Sequence, residues 1–549
     1  MRKPPWLRVA NVGALLLLIG VAALQWHAGS VIFGSSPQGD AAKHYASGVM
    51  VFDYFRHGLP ENPIRFAQDF EVRYPLVAIG QWPPMYYAVQ AAFYSLAGPS
   101  IRSAQILSAL IAAFLAILLF RSLRAHAGTR LALAATGLFL ATPEVQVAAW
   151  HIMSDLLTGL FVYLAILAFA VLLDEPGNWR AAAGFVAWAI AAVLTKGSAW
   201  ALAPFFLLAP LLARRVRFFL NRWFVCAMLA VPLLGSIFYL FAARRGIGYL
   251  KLTNHPSVAA GLRLSVLRHT IAFAPLSLLI LGIFGALVAL HARWRRNNQS
   301  HATTLSLLAA TWVCSQFIFL WLAPVTLEPR VLEPSLAPLA LLAADALGWV
   351  KNALRSRPVL AAIVPMALGG IVLANCIVSP VYRVDGFRQA ADDMPYPPDG
   401  TLILVATAPW RGDQEIIAER LSHSVAHRDV ILRDDHIVGN VDPAGGDLSP
   451  LQSPEAMRLY LLTMPVRFIV LDSPPHGTAY INLVESAVSG DPQDFHLIAA
   501  VPIVVRPGEK SLGELRIFEN PAGRDRHPSV VRMRVGGRGG GEVLEYQWK

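Results

Sequence analysis

Four ionisable residues stand where an apolar surrounding makes charge costly, and their types suit one chemistry. Asp40 opens Asp40-Ala41-Ala42-Lys43-His44-Tyr45, and Asp155 closes His151-Ile152-Met153-Ser154-Asp155. Lys196 lies in Leu194-Thr195-Lys196-Gly197, and Arg330 in Glu328-Pro329-Arg330-Val331-Leu332-Glu333-Pro334. Two carboxylates and two cations suit a displacement in which a hydroxyl attacks and an anionic phosphate leaves. A carboxylate can take the proton of the nucleophile. Lysine and arginine can stabilise the charge developing on the phosphate. Taken singly, each residue is as readily an interfacial anchor or a structural ion pair. Their convergence on one membrane face is what weighs against that reading.

The elements that must position them are membrane spans. Of the 549 residues, 55% are hydrophobic and only 15% charged, and the mean hydropathy is +0.50. Apolar runs of about 17–22 residues recur, the length that crosses roughly 30 Å of hydrocarbon. The net charge of +11 does not indicate nucleic acid, because much of the arginine and lysine lies in short clusters between apolar runs. Such clusters mark cytoplasmic loops. Arg2, Lys3 and Arg8 therefore place the N-terminus in the cytoplasm. About 11 spans then alternate, the first at about 10–27 and the last at about 359–378, with returns at Arg121, Arg124 and Arg130, at Arg214-Arg215-Val216-Arg217, and at Lys351, Arg355 and Arg357. The run after Met1-Arg2-Lys3 is read as a retained helix rather than a signal peptide.

The expected fold class is a polytopic α-helical membrane protein with a C-terminal extracytoplasmic α/β domain. Its divisions are a transmembrane domain at 1–380 with a long first outside loop (28–100), an α/β domain at 381–525 and a flexible tail at 526–549. Within the α/β domain, Thr401–Val405 and Arg467–Leu471 read as buried strands, and Glu415–Ser422 and Pro454–Thr463 as helices. Asp413 and Glu415, or Asp434 and Asp435, read as solvated surface rather than paired acids. The three cysteines, Cys226, Cys314 and Cys376, fall in apolar runs without pairing or metal-ligand spacing.

Around the four charges lie weaker candidates for a substrate pocket. Asp40 and His44 share a helical face at i and i+4, which would allow a metal pair. Two ligands without a third make a poor site, so His44 reads better as a hydrogen-bonding neighbour, and no metal or other cofactor is expected. Gln81-Trp82-Pro83-Pro84-Met85-Tyr86-Tyr87 is a stiff aromatic turn. Its aromatics suit either a membrane interface or a sugar or lipid pocket. Tyr45 beside Asp40 and Glu333 beside Arg330 complete the set with Trp82, Tyr86 and Tyr87.

This order of motifs resembles the GT-C glycosyltransferases. The resemblance is carried by an Asp in the first outside loop, a Pro-Pro-aromatic segment, an Asp starting the fourth helix, a Leu-Thr-Lys-Gly turn and an arginine before a late helix. It is nearest to the dolichyl-phosphate-mannose protein mannosyltransferase-like group, which includes bacterial aminoarabinose transferases, and covers about residues 10–350. It implies transfer of a sugar from a polyprenyl-phosphate donor to an acceptor outside the cytoplasm, with inversion. Asp40 is then the general base, Asp155 an assisting acid, and Lys196 and Arg330 the donor phosphate ligands. It also implies an enzyme integral to the inner (plasma) membrane, with membrane lipid and a glycan, lipid or protein acceptor as partners. Ala41 stands where many relatives carry a second acid, and Gln81-Trp82 where aminoarabinose transferases carry Glu-Lys. No Trp-Trp-Asp motif, which would mark transfer to asparagine, is present. The competing readings are a transporter or flippase, whose polar residues would lie near the bilayer midplane, and a non-catalytic assembly protein.

Overall fold

The computed structural model describes residues 39–60, 62–77, 80–244, 276–295, 300–323, 329–357, single positions between 359 and 374, and then 382–397, 399–407, 412–424, 427–433, 453–474, 479–506, 508, 510–524, 530–535 and 542–548. The chain forms two compact units. One takes in residues 80–86 and 106–381; the other takes in 32–79, 87–105 and 382–549. The segment read as a first outside loop thus contributes mainly to the unit that holds the C-terminal domain.

The first unit is helical. Among the described residues, five helices are long and apolar enough to cross a membrane: Ile101–Ala125, Asp155–Asp174, Arg222–Arg244, His301–Leu322 and Arg330–Ala353. A sixth span arises if Thr129–Ala141 and Pro143–Trp150 count as one, bent by 63°. The bend has a local cause: Thr142 precedes a proline and is extended at φ −60°, ψ 127°, as a residue before proline prefers. Three further apolar helices, Trp179–Val193, Gly197–Leu212 and Leu278–Trp294, are shorter. The expected span at 10–27 lies outside the described residues, and that at 359–378 largely so. A count of eleven is therefore not established by the described helices.

Packing within this unit follows two rules. Where helices meet lipid, apolar side chains point outward, as Leu229, Leu233, Ile237 and Leu240 do on the Arg222–Arg244 helix. Where backbones approach closely, glycine is required. A Cβ on Gly285 would stand 1.9 Å from the Leu342 carbonyl oxygen, and one on Gly282 would stand 2.6 Å from Leu339 Cδ2. These two positions let the Leu276–Arg295 helix lie along Leu336–Ala353.

The second unit is built on a six-stranded sheet in the order β1-β5-β6-β4-β2-β3. The strands are β1 (Arg383–Asp385), β2 (Leu402–Ala406), β3 (Val430–Arg433), β4 (Phe468–Ser473), β5 (His496–Arg506) and β6 (Lys510–Glu519). β2 runs parallel to β3 and β4, and all five of its residues are buried, as expected of a strand covered on both faces. Helices Asp413–His423 and Pro454–Thr463 complete the α/β pattern. The 526–549 stretch, expected to be a flexible tail, instead pairs β7 (Val530–Val535) with β8 (Glu542–Gln547). Alternating apolar residues on either side of the glycine run favour that hairpin.

The core of this unit also buries charge. Arg420 Nε donates to Asp429 Oδ2 at 2.7 Å, and its other nitrogens donate to the carbonyls of Ala391, Met394 and Pro395. Asp413 and Glu415 are buried, not the solvated surface that their sequence suggests; Asp434 and Asp435 lie outside the described residues. Asp413 is neutralised by Arg433 at 3.0 Å. Burial, then the Asp413 charge, pushes the Glu415 carboxyl up to about 8, while Lys43 pulls it down.

Two tests follow from this packing. Replacing Gly285 by Val is expected to cost at least about 1–3 kcal/mol through overpacking. Gly184→Ala should be nearly neutral, because its Cβ meets nothing nearer than 3.9 Å; unfolding of both variants in detergent compares them. For Glu415, a raised folded-state value means that the folded chain keeps a proton the unfolded chain releases. Its stabilising contribution is full below the ordinary carboxyl range and declines as pH rises to about 8. Glu415→Gln should therefore match the wild-type Tm near about pH 4 and exceed it near about pH 9. Identical pH slopes for the two proteins would disprove this.

Candidate active site

Asp155 is the first residue of the Asp155–Asp174 helix, where the helix dipole favours negative charge. It is 1% exposed. Its Oδ1 accepts a hydrogen bond from Lys196 Nζ, and its Oδ2 has no hydrogen-bond partner among the described residues. The lysine side chain is only 16% exposed, so both charges are withdrawn from water together.

The Lys196 turn is held from three sides. The Trp179–Val193 helix begins where Asn178 accepts the Ala181 N–H, and it packs back along Asp155–Asp174. At its far end Thr195 Oγ1 donates to the Ala191 carbonyl at 2.7 Å. Tyr239 reaches from the Arg222–Arg244 helix to donate to the Val193 carbonyl at 2.8 Å. The Met85 N–H donates to the Leu194 carbonyl at 2.9 Å, which seats the Pro83-Pro84 segment on the same turn. Tyr86 follows, buried, beside Ser108 and within electrostatic reach of Asp155. Trp82 is half-buried.

Arg330 and Glu333 belong to a short 3-10 turn, Pro329–Ser335. Arg330 Nη1 lies 2.8 Å from the sulfur of Met153, two residues before Asp155. Glu333 is buried and lies within electrostatic reach of Asp155, Lys196, Arg330 and Glu144. The turn packs against the Asp155–Asp174 helix, where a Cβ on Gly159 would stand in ordinary contact, 3.4 Å from Pro334 Cα. Gln316, buried in the His301–Leu322 helix, donates to the Val331 carbonyl and accepts from Ser335 Oγ. One amide thus holds the turn near both its ends.

Four of the sequence candidates, Asp155, Lys196, Arg330 and Glu333, therefore form one charged cluster within this unit, with Tyr86 beside it. Sequence reading missed Glu144 and Gln316. Glu144 follows Pro143 at the bend, and a charge in an apolar stretch was the signal that could have found it. Gln316 leaves no pattern of its own, because a lone glutamine in a span reads as a tolerated polar residue.

Asp40, His44, Tyr45 and Tyr87 belong to the second unit. Asp40 starts the Asp40–Arg56 helix and stands 3.8 Å from Lys43 Nζ. His44 Nδ1 and the Tyr87 hydroxyl share a hydrogen bond at 3.0 Å, which makes the histidine a bonded neighbour. Tyr45 is fully buried, edge-on to Tyr94. Among the described residues no three His, Cys, Asp or Glu side chains are grouped to hold a metal ion.

Comparisons with known proteins bear on this arrangement. Residues 81–241 match the family described as dolichyl-phosphate-mannose-protein mannosyltransferase. No curated protein matches the chain in sequence. Two crystal structures of ArnT from Cupriavidus metallidurans share its fold. The apo form aligns with a TM-score of 0.56 at 17% identity, covering 93% of this chain and 99% of ArnT. The form bound to undecaprenyl phosphate aligns with a TM-score of 0.55 at 16% identity, covering 94% and 98%.

The buried pair makes a direct prediction. Lys196→Met leaves a carboxylate uncompensated and should destabilise the protein by about 3–5 kcal/mol, whereas adding Asp155→Asn should restore much of that loss. Unfolding of the single and double variants in detergent reads the difference. If the double variant were as unstable as the single one, the bond would not be what balances Asp155.

Proposed function

We propose that this chain, which shares its fold with ArnT and matches a mannosyltransferase family model over residues 81–241, is a GT-C glycosyltransferase that transfers a sugar from a polyprenyl-phosphate donor to an acceptor on the non-cytoplasmic face of the membrane. One observation carries the reading: a cluster of Lys196, Arg330, Asp155 and Glu333 inside a spanning unit whose fold is shared with a protein crystallised with undecaprenyl phosphate. A polyprenyl phosphate presents an anion at the end of an apolar chain, and a cationic cluster at the end of membrane helices suits both parts.

In the proposed reaction the acceptor hydroxyl oxygen attacks the anomeric carbon as the bond from that carbon to the phosphate oxygen breaks. The phosphate leaves with the electron pair as polyprenyl phosphate, and the anomeric centre inverts. Lys196 and Arg330 hold the phosphate and stabilise its growing charge. Asp155, bonded to Lys196, aims the ammonium. Asp40 is assigned as the base that takes the hydroxyl proton. That role rests on the resemblance and on its place at the head of a helix. The basic clusters set the orientation, with the N-terminus cytoplasmic and the C-terminal domain outside. No divalent ion is invoked.

The test uses purified protein in lipid with a panel of polyprenyl-phosphate sugars. At least one should release polyprenyl phosphate. Asp40→Asn should lower kcat by about 100-fold or more while donor binding is retained. Normal turnover by Asp40→Asn would remove the assigned base. Movement of an intact lipid-linked sugar across the bilayer without bond cleavage would identify a flippase instead.

A further inference from the structure

The Asp155–Asp174 helix is 20 residues long, about 30 Å at 1.5 Å per residue. Its last turn therefore stands at the membrane boundary opposite the Asp155–Lys196 bond. There the chain forms an open cleft with a volume of about 590 Å³, lined by Arg214, Arg215, Arg217, Pro176, Phe218 and Asn221. We infer that this cleft binds the phosphate headgroup of an anionic membrane lipid.

The side chains divide between anchoring the cleft and facing out of it. Arg215 is an anchor: it donates to the Leu173 carbonyl and stands 3.7 Å from Asp174. Asn221 donates to the Pro176 carbonyl at 2.9 Å, and Arg293 donates to the Ala213 carbonyl. The nearby acids are already engaged, since Asp174 also accepts from His301 at 2.6 Å and from Thr304 at 3.0 Å, and Glu175 from Asn178 at 2.8 Å. Arg214 and Arg217 are exposed, leaving positive charge at the mouth.

Two further features favour a lipid. The rim is apolar and uncovered, with Val216 61% and Leu220 87% exposed. Arg214 stacks over the ring of Trp294 at 4.9 Å, and tryptophan marks the headgroup level of a bilayer. Arg214 also holds a backbone φ of +53° at the end of the Leu202–Leu212 helix, where glycine is the usual occupant. A phosphate with attached acyl chains would meet the arginines with its head and Val216 and Leu220 with its chains. Basic pockets between spans are a known mode of headgroup binding.

The experiment titrates the purified full chain in detergent with fluorophore-labelled phosphatidylglycerol and, separately, phosphatidylcholine. Phosphatidylglycerol should bind more tightly. Arg217→Gln should weaken it roughly fivefold, and Arg214→Gln with Arg217→Gln about 25-fold. Arg180→Gln, a cation at the same boundary but outside the cleft, should leave it unchanged. Arg217→Gln alters an exposed side chain, so it reports binding even if the double variant folds poorly. Equal affinity for the two lipids, or an equal loss in Arg180→Gln, would overturn the proposal. Binding of inorganic phosphate as tightly as phosphatidylglycerol would assign the cleft to a free anion and overturn it as well. None of these outcomes depends on sugar transfer.

Discussion

A carboxylate almost fully removed from water needs a cation, and the bond between Asp155 and Lys196 is the constraint around which the spanning unit is arranged. Breaking it would leave one charge in a medium that cannot solvate it. The lysine sits on a turn rather than within a helix, so the turn must be fixed by other means. Hydrogen bonds from Tyr239 and from the Met85 backbone fix it, and each also satisfies a helix-end carbonyl that lipid could not. The low exposure of both side chains, 16% for the lysine and 1% for the aspartate, strengthens the bond that these groups position.

The same logic explains the 329–335 turn. A 3-10 segment inside a helical bundle exposes carbonyls and hydroxyls that the neighbouring helices must meet. Gln316 meets two of them with one side chain, and the turn lies in van der Waals range of the helix surface at Gly159. Arg330 and Glu333 reach the Asp155 neighbourhood because the turn is pressed against that helix, not because they lie in a favourable sequence pattern.

Much of this architecture was legible in the sequence. Apolar runs of spanning length need no partner to be recognised, and the runs Thr401–Val405 and Arg467–Leu471 announced buried strands, which stand at Leu402–Ala406 and Phe468–Ser473. The charges at Asp155, Lys196 and Arg330 stood out because their surroundings are apolar. Residues whose meaning depends on a distant partner were not legible. Asp413 and Glu415 look like ordinary surface acids until Arg433 and Lys43 are brought to them. The hairpin of β7 and β8 hid behind a glycine run that composition alone reads as loose chain, although its strands alternate as pairing strands do.

The Asp155–Asp174 helix carries charge at both ends and none between, and its two ends are satisfied in opposite ways. At Asp155 the carboxylate is sealed against a lysine and turned into the bundle. At Asp174 the carboxylate remains partly open and gathers Arg215, His301 and Thr304 around it. A sealed pair fixes geometry, which is what bond-breaking chemistry requires of groups that must act on a reacting atom. An open basic cluster fixes depth, because arginines drawn to headgroups resist being pulled into hydrocarbon. The Phe169, Phe185, Phe205, Phe218 and Phe224 rings packed around the lower half of this helix tie the depth-setting end to the bundle. Those rings make the Asp174 end of the helix and the body that carries the Lys196 turn parts of one packed core.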